Sequence, residues 1–356
     1  MGLFDGMLKD GESLFKNELA LDFSFQPKLI QHREKEQFFL ASAIRPLFQG
    51  RSGRNILIHG KPGIGKTVAV KHVFRELEEE HDEVLPLYVN CWQHNTTYKI
   101  AVELCSLLGY TFIQNKKTQD LFKEIIKTLN KTSVVFAFDE VDRVEDFDFL
   151  YTLLEGVYRK SFILISNYRE WLLGLDNRIK SRLSPELLAF KEYSLVELRD
   201  ILSQRRDYAF ISGIFSDDAL EIAVARSFEL KDVRSGLHLM KEAAMIAEDG
   251  STCVVTREHA SFAMQKLDEL TIKDDSNLDE ERQFILNLVK LNTGKKMKEL
   301  FGLYQENGGR NSYRTFHRRI NDLKDGKFVV VKKMEGGSEG MTSYVHFQNV
   351  KKLTDF

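Results

Sequence analysis

Apolar positions recur along the chain at two different periods, and the change from one to the other divides it. Between Gln31 and Phe48, Phe38, Phe39, Ala43 and Leu47 are spaced as on one face of a helix. Short, nearly unbroken apolar runs then recur at Asn55–Ile58, Val84–Asn90, Ser133–Phe138 and Ser161–Ser166. Runs of that length without polar alternation are typical of strands buried on both faces. Helical patterns over Thr67–Glu80, Thr96–Leu108 and Asp120–Leu129 separate them. Buried strands alternating with helices predict an α/β layer, a parallel sheet wrapped by helices on both sides.

Beyond Phe190 the strand signals cease. Amphipathic helices are predicted over Ser194–Phe210, Asp217–Ser227, Val233–Asp249 and Arg257–Leu270, a separate all-α unit. The polar stretch Lys273–Asn277 reads as a linker. Three further helices follow, at Asp279–Leu291, Lys295–Asn307 and Ser312–Lys324. Two strand-like runs, Phe328–Met334 and Ser343–Phe347, flank the turn-rich Glu335–Met341, and three helices followed by a hairpin spell a winged helix. Residues 1–26 carry Gly2, Gly6 and Gly11 with weak periodicity, and predict an arm or short helix. The expected divisions are an arm at 1–30, the α/β domain at 31–191, a helical lid at 192–275 and the winged helix at 276–356.

Composition adds limits rather than an answer. At 356 residues, 43% hydrophobic and 29% charged, with 22 Gly and 5 Pro, the chain is that of a folded protein of two or three domains. No apolar run is long enough to span a membrane and no signal peptide is evident, so a cytoplasmic protein without a membrane partner is expected. Cys91, Cys105 and Cys253 are too dispersed for a zinc ladder or a disulfide framework. The near-neutral total of −2 hides an asymmetry: residues 276–356 hold 15 Lys and Arg against 10 Asp and Glu. A basic end is a first, weak indication of a polyanionic partner.

The chemistry concentrates after the first strand. Gly60-Lys61-Pro62-Gly63-Ile64-Gly65-Lys66-Thr67 fits the G-x-x-x-x-G-K-[ST] phosphate loop, set between a predicted strand and a predicted helix. Its glycines let successive backbone N–H groups turn inward at a helix N-terminus. Lys66 would reach the β and γ phosphates, Thr67 would ligate Mg²⁺, and Val68 completes the contact set. The apolar run Val134–Phe138 ends in Asp139-Glu140, which puts two acids at the same sheet edge: Asp139 to hold Mg²⁺ through water, Glu140 to orient or deprotonate the attacking water. The following strand ends in Ser166-Asn167, a neutral amide beside the γ phosphate. Arg178 and Arg182 follow the last helix of the sheet and Arg234 opens a lid helix, positions from which arginine neutralises transition-state charge, Arg234 in cis and Arg182 in trans.

This order of parts resembles an AAA+ ATPase. More closely it is similar to the archaeal replication initiators related to the origin-recognition and cell-division-cycle-six proteins. The resemblance rests on His32-Arg33-Glu34, Asn55, Gly60–Thr67, Tyr88-Val89-Asn90-Cys91, Asp139-Glu140-Val141-Asp142, Ile165-Ser166-Asn167, Arg178–Leu183 and Asp232-Val233-Arg234, and spans about 30–350. It implies ATP/ADP and Mg²⁺ as cofactors, adenine rather than guanine as the base, Lys66 and Thr67 on phosphate and metal, and Asp139 and Glu140 as the acidic pair. It further implies Asn167 as first sensor, Arg234 as second sensor, and Arg182 as arginine finger with Arg178 as the alternative. In that family a helix inserted after the second strand touches DNA; Asn95–Leu107 occupies that place, with Thr96, Thr97 and Lys99 the polar candidates. Two departures stand out: Lys231 where a glycine commonly precedes the lid aspartate, and Glu335 and Glu339 in the wing.

Within Ser312–Lys324, Phe316, Ile320 and Leu323 fall on one stripe and are expected inside. Arg314, Arg318 and Asn321 are expected on the opposite face, suited to guanine and adenine edges in a major groove, with His317 and Arg319 nearer the sides. Lys327, Lys332 and Lys333 on the hairpin would add phosphate attraction. The function expected is a slowly hydrolysing ATP-dependent initiator, nucleoid-associated, which binds duplex origin DNA and recruits or loads the replicative helicase, with other initiator subunits as further partners. The alternatives are a P-loop signalling or transcriptional switch whose winged helix binds protein or promoter DNA, and a regulatory paralogue.

Overall fold

A computed structural model describes residues 13–110, 113, 116–273, 280–309, 311–325, 328–336 and 340–347. The chain falls into two compact units, Met1–Met264 and Gln265–Phe356.

In the first unit, helix α1 (Glu34–Ile44) leads to strand β1 (Ile56–His59), helix α2 (Lys66–Glu80) and β2 (Val84–Asn90). Then come α3 (Thr97–Leu107), α4 (Thr118–Leu129), β3 (Ser133–Asp139), α5 (Asp148–Gly156), β4 (Lys160–Ser166), α6 (Asn177–Leu183) and β5 (Glu186–Ala189). The five strands pair in the order β2-β3-β4-β1-β5, all parallel. Successive side chains of a strand alternate between faces, and both faces are filled. Phe136, Phe138 and Phe162 stack on one face among residues of α3, α4, α5 and α6. Val135, Ala137, Ile163 and Ile165 meet α1 and α2 on the other.

Helix α1 stops short of the expected Phe48 because Pro46 brings no N–H to the ladder, and Arg45–Gln49 tightens into a 3₁₀ turn. Three elements carry no counterpart in the sequence reading: α5, α6 and the edge strand β5. The helices α7 (Leu195–Ala209), α8 (Asp217–Leu230), α9 (Val233–Asp249) and α10 (Arg257–Lys273) follow. Ser194, Ser216 and Asp232 cap the first three, each accepting a backbone N–H that the helix leaves unpaired. Among the described residues before α1 the one helical element is a 3₁₀ turn, Glu18–Leu21, and Leu14, Ala20 and Leu21 are buried. Lys16 and Asn17 N–H both donate to Ala209 O, and Lys241 pairs with Glu18, so the arm lies along α7 and α9.

In the second unit, α11 (Glu280–Leu291), strand β6 (Lys295–Lys296), α12 (Met297–Glu306), α13 (Tyr313–Asp325), β7 (Val329–Gly336) and β8 (Gly340–Phe347) have the order of a winged helix. The antiparallel sheet runs β6-β8-β7. Lys295 and Lys296 belong to this sheet rather than to the predicted helix, since they pair with Val345 and Tyr344. Phe316, Ile320 and Leu323 are fully buried against Ile285, Val289, Leu300 and Tyr304, the inward stripe that their spacing predicts. The expected linker 273–277 lies outside the described residues after Lys273.

Candidate nucleotide site

The loop from β1 to α2 turns on Gly63 and Gly65, both at positive φ (71° and 88°), where a side chain would strain the backbone. Space is limiting as well. A Cβ on Gly63 would overlap the Asp232 carboxylate, and one on Gly65 would lie 2.5 Å from the Tyr193 hydroxyl. The loop is therefore packed from outside by the lid cap and by the residue that leads into α7, while its inner side opens at the N-terminus of α2, where the helix dipole favours anions.

Lys66 is 7% exposed. Its Nζ donates to Gly60 O at 2.6 Å, Lys61 O at 2.7 Å and Asn167 Oδ1 at 2.9 Å. Burial lowers its pKa to about 8, an effect that Asp139 and Asp142 oppose. One residue on, Thr67 Oγ1 donates to Asp139 Oδ2 at 2.7 Å. The Tyr88 hydroxyl donates to the same oxygen at 2.8 Å, and Glu140 N–H donates to Oδ1 at 2.9 Å. Glu140 sits in the left-handed region (φ 54°), directly after the strand, which turns its side chain into the cavity that both acids line. Desolvation, then the negative charges of Asp139 and Asp142, hold its carboxyl above the usual range. Asn167, at the end of β4, receives orientation from both sides: Lys66 bonds its carbonyl, and its backbone N–H faces Asp142 Oδ1 at 3.4 Å. A hydroxyl and a buried carboxylate in contact form a hard-oxygen donor set of the kind that would suit Mg²⁺.

Gly63, Ile64, Gly65, Lys66, Thr67, Val68, Pro62, Asp139, Glu140, Asn167 and Arg234 line one cavity. Gly60 and Lys61 shape the loop through their carbonyls on Lys66. Phe23, Pro27, Ile30, Ile201 and Leu237 add apolar surface to the same cavity, beside Gln31, Gln204 and Arg205. The N-terminal arm thus contributes a wall, a role the sequence left open. The arm is fastened by Arg205, which donates to Ala20 O at 2.8 Å and Phe25 O at 3.1 Å, and by Gln204 Nε2 to Leu29 O at 3.2 Å. These contacts join residues up to 185 positions apart, so no local pattern announces them.

Arg33, quoted above only as part of a family signature, is a buried hub. Its guanidinium donates to Ile64 O at 2.9 Å, Lys191 O at 2.6 Å, Tyr193 Oη at 3.1 Å and Glu36 at 3.1 Å, and lies 3.9 Å over the Tyr193 ring. Lys231 takes the left-handed cap position of α8 (φ 56°), where glycine costs least. Its ammonium meets Glu192 at 2.6 Å, and Glu192 also pairs with Lys61 of the loop. The lysine therefore ties the lid to the phosphate loop.

Arg178 and Arg182 do not line the cavity. Both are exposed on α6, Arg178 paired with Asp176 at 3.2 Å and Arg182 paired with Glu155 beside the Tyr151 ring. On α3, Thr96 caps the helix, Thr97 is held by Asp146, and Lys99 Nζ bonds Asn95 Oδ1 at 2.8 Å.

In the second unit, Arg314, His317 and Arg318 are exposed on α13, while Arg319 is half-buried. Asn321, expected on the open face, is also half-buried, and its Nδ2 lies 3.1 Å from His317 Nδ1. Arg282 of α11 braces α13 through Asp322 at 2.8 Å. Lys332 and Lys333 fall on β7 opposite Tyr344 and Ser343. Lys327 and Glu339 lie outside the described residues. No described helix is long and apolar enough to cross a membrane.

Comparison with known proteins defines the class first. Residues 49–169 match an AAA domain and residues 199–265 match a Cdc6 AAA+ ATPase-type lid domain, so the chain is an AAA+ ATPase. It is 30% identical over 344 residues to the ORC1-type DNA replication protein 1 of Archaeoglobus fulgidus, covering 91% of this chain and 84% of that protein. It is 29% identical over 339 residues to the ORC1-type DNA replication protein 2 of Methanothermobacter thermautotrophicus, covering 90% and 88%. The chain belongs to the ORC1-type family of DNA replication proteins. In fold it is similar to the Aeropyrum pernix ORC1 protein solved in complex with DNA (TM-score 0.72, 24% identity, 94% of this chain and 93% of that one). The same holds for the Aeropyrum pernix ORC2 protein in its ADPNP and ADP complexes (TM-score 0.70, 20% identity, 94% of each chain).

Proposed function

We propose that the chain is an ATP-switched replication initiator that binds duplex origin DNA through α13 and helps recruit or load the replicative helicase. The observation that carries this reading is an exposed Arg314/Arg318 pair on the braced helix of one unit, in a chain whose other unit gathers Lys66, Thr67, Asp139 and Glu140 around one cavity. Arginines spaced one turn apart on an open helix face suit the major groove.

In the site, Lys66 leaves its three chain oxygens for the β and γ phosphates, helped by the N–H groups of the loop. Thr67 and Asp139 hold Mg²⁺, which neutralises charge on the phosphate oxygens. Glu140 accepts a proton from the water that attacks the γ phosphorus, giving ADP and phosphate, while Asn167 orients that water. Arg234 reads the γ phosphate from the lid. The finger arginine, Arg182 or Arg178, lies outside its own cavity and serves a neighbouring subunit. A site that lacks its finger until a partner arrives hydrolyses slowly, and this makes nucleotide state a switch of assembly and DNA geometry.

The test is duplex binding with ATP and with ADP across a salt series, using chromosomal fragments against random competitor. Enrichment of a discrete locus, reduced by Arg314→Ala and Arg318→Ala, supports the reading. Equal, steeply salt-dependent binding to every fragment reduces it to charge attraction, and no binding turns it toward a protein-partner switch.

A further inference from the structure

The β2–β3 register sets Tyr88 opposite Ala137, with Asp139 two residues further along β3 on the same face. Phe136 and Phe138 point to the other face, and Ala137 presents only a methyl group. The Tyr88 ring can therefore lie along the strand and bring its hydroxyl 2.8 Å from Asp139 Oδ2. Packing on the α2 side of the sheet fixes the ring, and the Lys71 ammonium stands 4.5 Å over it. A phenylalanine would fill the same space; the hydroxyl is accounted for by the carboxylate it meets.

Asp139 is 3% exposed and is held from three directions, by Tyr88 and Thr67 on Oδ2 and by Glu140 N–H on Oδ1. A carboxylate offers about four acceptor sites, so three protein donors leave one, on Oδ1, for a metal-bound water.

We propose that Tyr88 is a positioning residue that orients the Asp139 carboxylate toward the nucleotide-bound Mg²⁺ and so sets the affinity for the metal. The inference rests on the metal–nucleotide reading of this site. Thr67 cannot fill the role alone, because its hydroxyl oxygen is itself assigned to the metal. Tyr88 borders the same cavity but reaches the carboxylate from β2, a strand of the sheet, rather than from the phosphate loop. Partners of this kind typically govern metal affinity by tenfold or more.

The experiment is Tyr88→Phe in the full chain, with ATP affinity measured in EDTA and then across a Mg²⁺ titration. Affinity in EDTA and metal-free melting are expected to match the wild type, which reports an intact fold and phosphate loop. The Mg²⁺ concentration giving half of the metal-dependent gain is expected to rise about tenfold. Hydrolysis at saturating Mg²⁺ should return to within about threefold of wild type, as expected of a residue that acts through the metal. A Mg²⁺ titration superimposable on the wild type overturns the proposal for Tyr88. A wild-type chain whose ATP affinity ignores Mg²⁺ overturns the metal–nucleotide reading itself, and a loss of affinity in EDTA equal to the loss in Mg²⁺ shows Tyr88 to be structural only.

Discussion

The ammonium of Lys66 and the side-chain carbonyl of Asn167 meet at 2.9 Å although 101 positions separate them in the chain. With the carbonyls of Gly60 and Lys61, this contact gives the buried lysine three oxygen partners at the place where phosphate oxygens would lie. Without such partners a buried ammonium is costly. The chain's own oxygens thus order the lysine, and phosphates would enter by exchange of acceptors.

That arrangement predicts a pH dependence. Burial holds Lys66 near 8, below the 10.5 of an unperturbed lysine. Between these values the folded chain binds fewer protons than the unfolded one, so the contribution of this group to stability rises as pH climbs through that window. Phosphates beside the ammonium raise its pKa again. ATP affinity should therefore be flat below about pH 8 and fall above it, with proton uptake on binding. Calorimetry in buffers of different ionisation enthalpy measures that uptake; Lys66→Ala should bind weakly at every pH and show none.

Glu140→Gln should bind ATP with wild-type affinity and lose hydrolysis by about a hundredfold or more, the scale expected for removing a general base. In the wild type, the raised carboxyl of Glu140 means that hydrolysis falls on acidification before an ordinary glutamate would protonate. A pH–rate profile under saturating nucleotide, set beside binding at the same pH values, separates this step from any loss of affinity.

How much of this was legible in the chain depends on distance in sequence. The strands β1 to β4 were readable because burial on both faces leaves unbroken apolar runs. Strand β5 was not, since it lies at the sheet edge with Leu187 exposed and so lacks the two-sided burial of the others. Helix α5 had its signal in Phe149, Leu150, Leu153 and Leu154, but only nine residues to show it in. The phosphate loop and acidic pair were readable because their chemistry is contiguous. Arg33 and Tyr193 meet across 160 positions, and Phe23, Pro27 and Ile30 reach the cavity from an arm with weak periodicity. Tertiary packing alone brings these together, and the residue types do not announce it.

Arg33 gives the corresponding stability prediction. It is 4% exposed and satisfies the carbonyls of Ile64 and Lys191 from one guanidinium. Arg33→Ala strands those acceptors and leaves Glu36 without its partner, at a cost of about 3–5 kcal/mol in urea unfolding. Arg33→Lys should recover little of it, because a single ammonium cannot span a fork of four acceptors. ATP affinity should fall with stability in both variants, since Ile64 belongs to the phosphate loop.

On α13 the two faces predict opposite outcomes. Arg314 and Arg318 are exposed and remote from the buried stripe, so replacing either with Ala should change stability by less than about 0.5 kcal/mol. Each should nevertheless weaken duplex binding, by about 1–3 kcal/mol if it reads a base edge, and only at particular positions of the site. If an arginine meets phosphate instead, the loss will be uniform across sequences and the salt slope will fall by about one. Phe316→Ala, two residues from Arg314 but fully buried, should cost about 3–5 kcal/mol of folding and abolish binding by unfolding the unit. ATP affinity at the first unit should be unaffected in all three variants. Binding curves against a set of single-base variants, taken at two salt concentrations beside urea melts, decide between base reading, phosphate contact and simple loss of fold.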